Sequence, residues 1–118
     1  MARVLVTGNI NRDRTIRLEA PLPGCRIRGY DMGYALGGAA ANTGLALARG
    51  GHEVVIASGL GQGPEGDDML ALLRAAGVDV SHVQRLNSPP AEPLILIEPS
   101  GERTIIHLAP TQGDTADF

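Results

Sequence analysis

The 118 residues predict an α/β fold, a parallel sheet flanked by helices with a small antiparallel sheet appended to it, and three observations carry that prediction. Two short runs, Val4-Leu5-Val6 and Val54-Val55-Ile56-Ala57, are apolar at every position, as strands covered on both faces are. A segment with helical character precedes the second run and another follows it, so strand and helix alternate along the chain. Two further segments, 15–18 and 26–28, alternate polar with apolar residues, the pattern of strands with one solvated face, and two more, 94–97 and 104–108, flank a hairpin turn.

The first strand ends at Thr7-Gly8-Asn9. Thr15-Ile16-Arg17-Leu18 and Arg26-Ile27-Arg28, on either side of Pro21-Leu22-Pro23-Gly24, are the two alternating segments. Gly37-Gly38 then opens an alanine-rich helix over residues 39–48, and Gly50-Gly51 ends it. The second apolar strand follows. The second helix, over 66–76, places Met69, Leu72, Leu73 and Ala76 at i, i+3, i+4 and i+7, with Asp67 and Asp68 in its first turn and Gly77 behind it. Residues 94–97 and 104–108 flank Pro99-Ser100-Gly101-Glu102, a hairpin turn. These four segments, within about 14–36 and 94–108, are expected to form an accessory sheet made of two insertions into one domain spanning 1–118.

Composition bounds the function. A chain of this length forms one domain that buries roughly 65% of its unfolded surface. With 43% apolar and 19% charged residues it is expected to fold as a soluble globule. Its net charge of −3, without any basic run, gives no footprint for nucleic acid or an anionic membrane. All ten basic residues are arginine, which removes a phosphate-loop lysine and a Schiff-base lysine. Cys25 is the single cysteine, so neither an internal disulfide nor a cysteine-based zinc site is possible, and a reducing cytoplasm is the expected location. The apolar opening is too short for a signal sequence, and no run reaches the length of a membrane span. His52, His82 and His107 lack metal-ligand spacing and read as surface or structural residues.

Chemistry concentrates at Gly37-Gly38-Ala39-Ala40-Ala41-Asn42. Glycine lets backbone approach a ligand, and the first helical turn offers unpaired N–H groups with partial positive charge. Gly38 and Asn42 are four apart and share a face of that turn. Asn11 and Asp13 lie just beyond the carboxyl end of the first strand, where open α/β sheets form their ligand crevice. A carboxylate accepts from two neighbouring hydroxyls and a carboxamide both donates and accepts, so these residues suit a polyol. The plainer alternatives are an Asn-x-Asp turn and a glycine pair that only lets the helix pack closely on the sheet. Gly61-Gln62-Gly63-Pro64-Glu65-Gly66 also fits G-x-G-x-x-G between strand and helix, a dinucleotide-binding pattern. Glu65, Asp67 and Asp68 oppose a pyrophosphate there, and no acidic strand end follows at the required distance.

Taken in order, the chain resembles the ribokinase-like, or PfkB, family of carbohydrate kinases. The resemblance rests on Gly8-Asn9-Ile10-Asn11-Arg12-Asp13, Pro21-Leu22-Pro23-Gly24, the Gly37 to Asn42 signature with Ala46, Gly51, Leu60-Gly61, the stretch 66–73, Gly77-Val78-Asp79 and Gly101-Glu102-Arg103-Thr104. It covers essentially the whole chain. It implies that Asn11 and Asp13 hold sugar hydroxyls, that the backbone at Gly37, Gly38 and Ala39 and the side chain of Asn42 complete the pocket, and that the accessory sheet is a lid. Arg103 is a possible lid contact to an acidic sugar. Two positions depart from the family: Gly63 stands where an aspartate is usual, and Ala39 where ribokinase has lysine, which weakens ribose as the substrate.

The family reaction is ATP-dependent phosphorylation of a carbohydrate hydroxymethyl group, with ATP and Mg2+ as implied cofactors. Its Gly-Ala-Gly-Asp motif and nucleotide pocket belong to a C-terminal half that nothing between Ala109 and Phe118 resembles. The chain is therefore expected to be an acceptor-binding portion that transfers no phosphate alone, with no catalytic residue of its own. The alternative is a non-catalytic remnant that binds a small polyol or pairs with a second copy through its lid strands. A complementary C-terminal chain is the other conceivable partner.

Overall fold

The computed structural model describes residues 1–24 and 26–107. Nine elements follow in order: β1 (Arg3–Thr7), β2 (Asn11–Leu18), β3 (Gly29–Gly37), α1 (Ala39–Arg49), β4 (Glu53–Gly61), α2 (Pro64–Ala75), β5 (Asp79–Leu86), β6 (Leu94–Ile97) and β7 (Arg103–Ile106). They build two sheets, a parallel one ordered β1-β4-β5 and a four-stranded one ordered β3-β2-β6-β7.

In the parallel sheet β1 runs beside β4 with Val4 against Val54 and Val6 against Ile56, and β5 continues on the other side of β4. Both helices pack on the same face. Along β4, Val54, Ile56, Ser58 and Leu60 are buried while Val55, Ala57 and Gly59 are only partly covered, the period-two signature of one dry face. Met69, Leu70 and Leu73 of α2 join Ala40 and Ala41 of α1 against Val54, Ile56 and Leu60 in one core. Gly44 lets α1 approach closely: a Cβ there would lie 2.9 Å from Ile56 Cδ1. Among the described residues nothing covers the opposite face. Leu5 is 66% exposed where its neighbour Val6 is 7%, and Leu5, Val55, Ala57 and Val83 line an open groove of about 710 Å³. The expectation of helices on both sides of this sheet thus holds on one side among the described residues.

The second sheet holds the segments expected to form the accessory sheet. Its β2–β3 and β6–β7 pairs are antiparallel, whereas β2–β6, which joins the two insertions, runs parallel. Residues 98–102 close the β6–β7 hairpin through Gly101 N–H to the Glu98 carbonyl at 2.8 Å. The strand expected over 26–28 instead occupies Gly29–Gly37, and 26–28 is loop. Leu108, expected to end the last strand, and Cys25 lie outside the described residues. The second helix starts at Pro64, two residues before Gly66, since proline suits the first helical position.

Candidate functional site

The two sheets meet where β1 leads into β2 and β3 leads into α1. The Ser58 hydroxyl of β4 donates to the Gly8 carbonyl, and the next carbonyl, Asn9, accepts from Ala40 N–H at 3.0 Å. The connection from β1 to β2 is thereby fastened to the first turn of α1. Gly38 is the N-cap, with φ +93, and its carbonyl accepts the first helical bond, from Asn42 N–H at 2.9 Å. A Cβ on Gly38 would overlap the Asn9 carbonyl and stand 3.1 Å from Asn11 N. A Cβ on Gly37 would fall inside the Asp13 carboxylate. Both glycines are required for close approach, one of backbone to backbone and one of backbone to carboxylate.

Strand register completes the cluster. Asn11 is opposite Gly37 and Asp13 opposite Ala35 on β2 and β3. Asn11, Asp13, Gly37 and Gly38 therefore form one patch, with Asn11 and Asp13 in a strand rather than a turn. On α1, Ala40, Ala41 and Gly44 are buried while Ala39, Asn42 and Thr43 are exposed, so Ala39 and Asn42 share the solvent side of the first turn. Arg103, on β7, pairs with Ile97, which pairs with Arg17, four positions along β2 from Asp13. At about 3.3 Å per residue that puts Arg103 roughly 13 Å further along the four-stranded sheet.

Burial pushes the Asp13 carboxyl above the ordinary range, and the charge of His107 opposes that shift. Its neighbours in sequence, Arg12 and Arg14, face the other side of β2. Arg12 bonds Glu92 at 2.5 Å and stacks on the Tyr34 ring at 3.4 Å; Arg14 bonds Asp31 at 2.8 Å and lies 5.7 Å from the same ring. Among the described residues Asp13 makes no ion pair. A partly buried carboxylate without a cation, beside bare backbone and a helix N-terminus, can accept from two hydroxyls at once.

The G-x-G-x-x-G loop is filled by the chain itself. A Cβ on Gly61 would collide with Ser88, Pro89 and Pro90, and one on Gly66 with the Gly61 carbonyl. Arg85 reaches into the loop, bonding Asp67 at 2.8 Å and the Gly61 carbonyl at 3.1 Å. These glycines permit internal packing, and their residues do not fit a nucleotide. His52 accepts from Ala2 N–H at 3.0 Å and is structural. Among the described residues no three His, Cys, Asp or Glu side chains gather as a metal site, and no helix is long and apolar enough to cross a membrane.

Comparison with known proteins gives the same fold. A ribokinase from Cryptococcus neoformans var. grubii serotype A, solved with ADP, superposes with a TM-score of 0.76 and 27% identity over 90% of this chain and 34% of its own. Fructokinase from Xylella fastidiosa gives 0.73 and 25% over 96% and 35%. Phosphofructokinase-2 from Escherichia coli with fructose-6-phosphate gives 0.75 over 97% and 39%; at 19% identity this likeness speaks for the fold alone. The chain thus spans little more than a third of the length of each structure. No curated protein sequence matches it. The family model described as pfkB family carbohydrate kinase matches residues 1–117, and the chain belongs to that family.

Proposed function

We propose that the chain is the acceptor-binding part of a carbohydrate kinase, taking a sugar or nucleoside through Asn11, Asp13, Asn42 and the backbone at Gly37, Gly38 and Ala39. The single observation that carries this reading is the seating of the Asp13 carboxylate directly on Gly37, beside the first turn of α1. Calorimetric titration of the chain with D-ribose, D-fructose and adenosine tests it; heat from one of these that vanishes in Asp13→Ala is the expected result. The family reaction moves a phosphoryl group from ATP, assisted by Mg2+, and the loop that most resembles a phosphate cradle is packed shut. No described residue is therefore assigned to nucleotide, metal or proton transfer. The isolated chain is expected to give no phosphoryl transfer in a coupled assay, and turnover of any sugar would refute that expectation.

A second reading, pairing with another copy through the lid, is favoured by its edge strands. Tyr30 and Met32 on β3 are 50% and 57% exposed, and Ile105 on β7 is 54% exposed; unpaired strand edges recruit partners. The bare face of the parallel sheet is a competing surface. Sedimentation separates the two. Loss of self-association in Ile105→Lys assigns it to the lid, loss in Leu5→Lys assigns it to the bare face, and a monodisperse monomer of the unsubstituted chain counts against both.

A further inference from the structure

Arg12 stands between Asn11 and Asp13 on β2, and its side chain leaves from the face opposite the Asp13 carboxylate. Its guanidinium donates to the Glu92 carboxylate at 2.5 Å and lies 3.4 Å over the Tyr34 ring. The ring belongs to the residue registered with Arg14, so Arg12 reaches it along the diagonal between β2 and β3. Glu92 belongs to residues 87–93, which lead from β5 to β6. Backbone bonds fasten that connector at both ends. Gln62 N–H, in the glycine loop after β4, donates to the Ser88 carbonyl at 3.0 Å, while Arg12 N–H donates to the Ala91 carbonyl at 2.8 Å and Arg14 N–H to the Pro93 carbonyl at 3.0 Å. Pro89, Pro90 and Pro93 carry no N–H, so the segment is held mainly as an acceptor. Arg12 grips it twice, through backbone and through side chain.

We propose that Arg12 is a positioning residue of the acceptor pocket: clamped between Glu92 and Tyr34, it fixes the pitch of β2 at residues 11–13 and so keeps Asn11 and Asp13 beside Gly37. The inference rests on the acceptor-binding reading above. Among the described residues Asp13 makes no ion pair, so what aims its carboxylate is the strand that carries it. Arg12 suits that task where Arg14 does not. The side chains of Arg12 and Glu92 are 23% and 35% exposed, against 41% and 49% for Arg14 and Asp31, and the more enclosed pair is the less screened. The Arg14 side chain ties β2 only to β3, whereas that of Arg12 ties it to β3 on one side and to the connector on the other. A planar guanidinium can do both at once, stacking its face on a ring while its edge donates to a carboxylate.

The test uses the whole chain, titrated calorimetrically with D-ribose and D-fructose. For whichever sugar binds, Arg12→Ala is expected to weaken affinity about 10-fold, the equivalent of one misaligned hydrogen bond between ligand and carboxylate. Arg12→Lys, which keeps a cation but not the planar fork, should recover part of it. Glu92→Gln should cost about 3-fold, since its oxygen still accepts but without charge. Combined with Arg12→Ala it should cost nothing more, because Glu92 acts only through Arg12. Arg14→Ala, which removes an equal charge from the same face, should bind like the unsubstituted chain. Each titration is run below the variant's thermal midpoint, where a clamp serving the fold alone would leave affinity unchanged. Unaltered affinity in folded Arg12→Ala, or in Glu92→Gln where Arg12→Ala does not fold, while Asp13→Asn loses binding, overturns this inference alone; so does an equal loss in Arg14→Ala. Absence of binding by the unsubstituted chain to either sugar overturns it together with the reading it rests on.

Discussion

Replacing Gly38 with alanine is expected to remove sugar binding and to lower the stability of the chain by about 3 kcal/mol or more. Two separate penalties combine. At φ +93 and ψ 154 the backbone occupies a region that residues with a Cβ avoid, a strain of order 1–3 kcal/mol. The added methyl also overlaps the Asn9 carbonyl, which is held in place by Ala40 N–H. Relief demands movement of the β1–β2 connection away from α1, and Asn11 and Asp13 move with it. Domains of this size hold only about 5–15 kcal/mol in total, so the shift is large. Gly51 supplies the control, with φ +88 and open space around its Cα. Gly51→Ala should cost about 1 kcal/mol from backbone strain alone. Denaturant unfolding of both variants is the measurement; equal losses would show that the close approach at Gly38 is absent.

Asp13→Asn is expected to weaken sugar affinity about 10- to 100-fold without loss of stability at neutral pH. The affinity term is that of a hydrogen bond to a charged group, about 1.5–3 kcal/mol. The stability term has the opposite sign. Burial raises the folded-state pKa of Asp13 above its unfolded value, so its contribution to stability is fully present below the ordinary carboxyl range and is lost as pH rises through the raised value. The neutral amide carries no such loss, and Asp13→Asn should match or exceed the parent at pH 7, the two converging in acid. Binding to the parent should decline as pH falls through the raised pKa, while residual binding to Asp13→Asn stays flat. A variant less stable than the parent at pH 7 would show that the carboxylate serves the fold instead of a ligand.

Periodicity made the helices and the first two parallel strands legible in the sequence, because each buries a continuous apolar side. Less of β5 could be read. In Asp79–Leu86 only Val80 is buried, since this strand borders the bare face and carries polar residues that a covered strand would not. The strand β3 begins later than the alternation at 26–28 suggests; it is an exposed edge, interrupted near Gly33 at φ +85, so no dry face imposes a pattern on it. The parallel β2–β6 pairing leaves no trace in either segment, because register between distant insertions is set in three dimensions. Asn11, Asp13 and the glycine pair were legible as chemistry, and their juxtaposition follows from β2 pairing with β3.

The chain has no tryptophan and two tyrosines, Tyr30 and Tyr34, and both lie on β3. Tyrosine emission excited in the near ultraviolet therefore originates in one strand of the four-stranded sheet and nowhere in the parallel sheet. Tyr34 is stacked beneath a guanidinium while Tyr30 stands half in solvent beside Glu19, so the two fluorophores should differ in quenching. Any displacement of Arg12 from the Tyr34 ring during a sugar titration would then show in the unlabelled polypeptide, as a change in one of the two lifetimes.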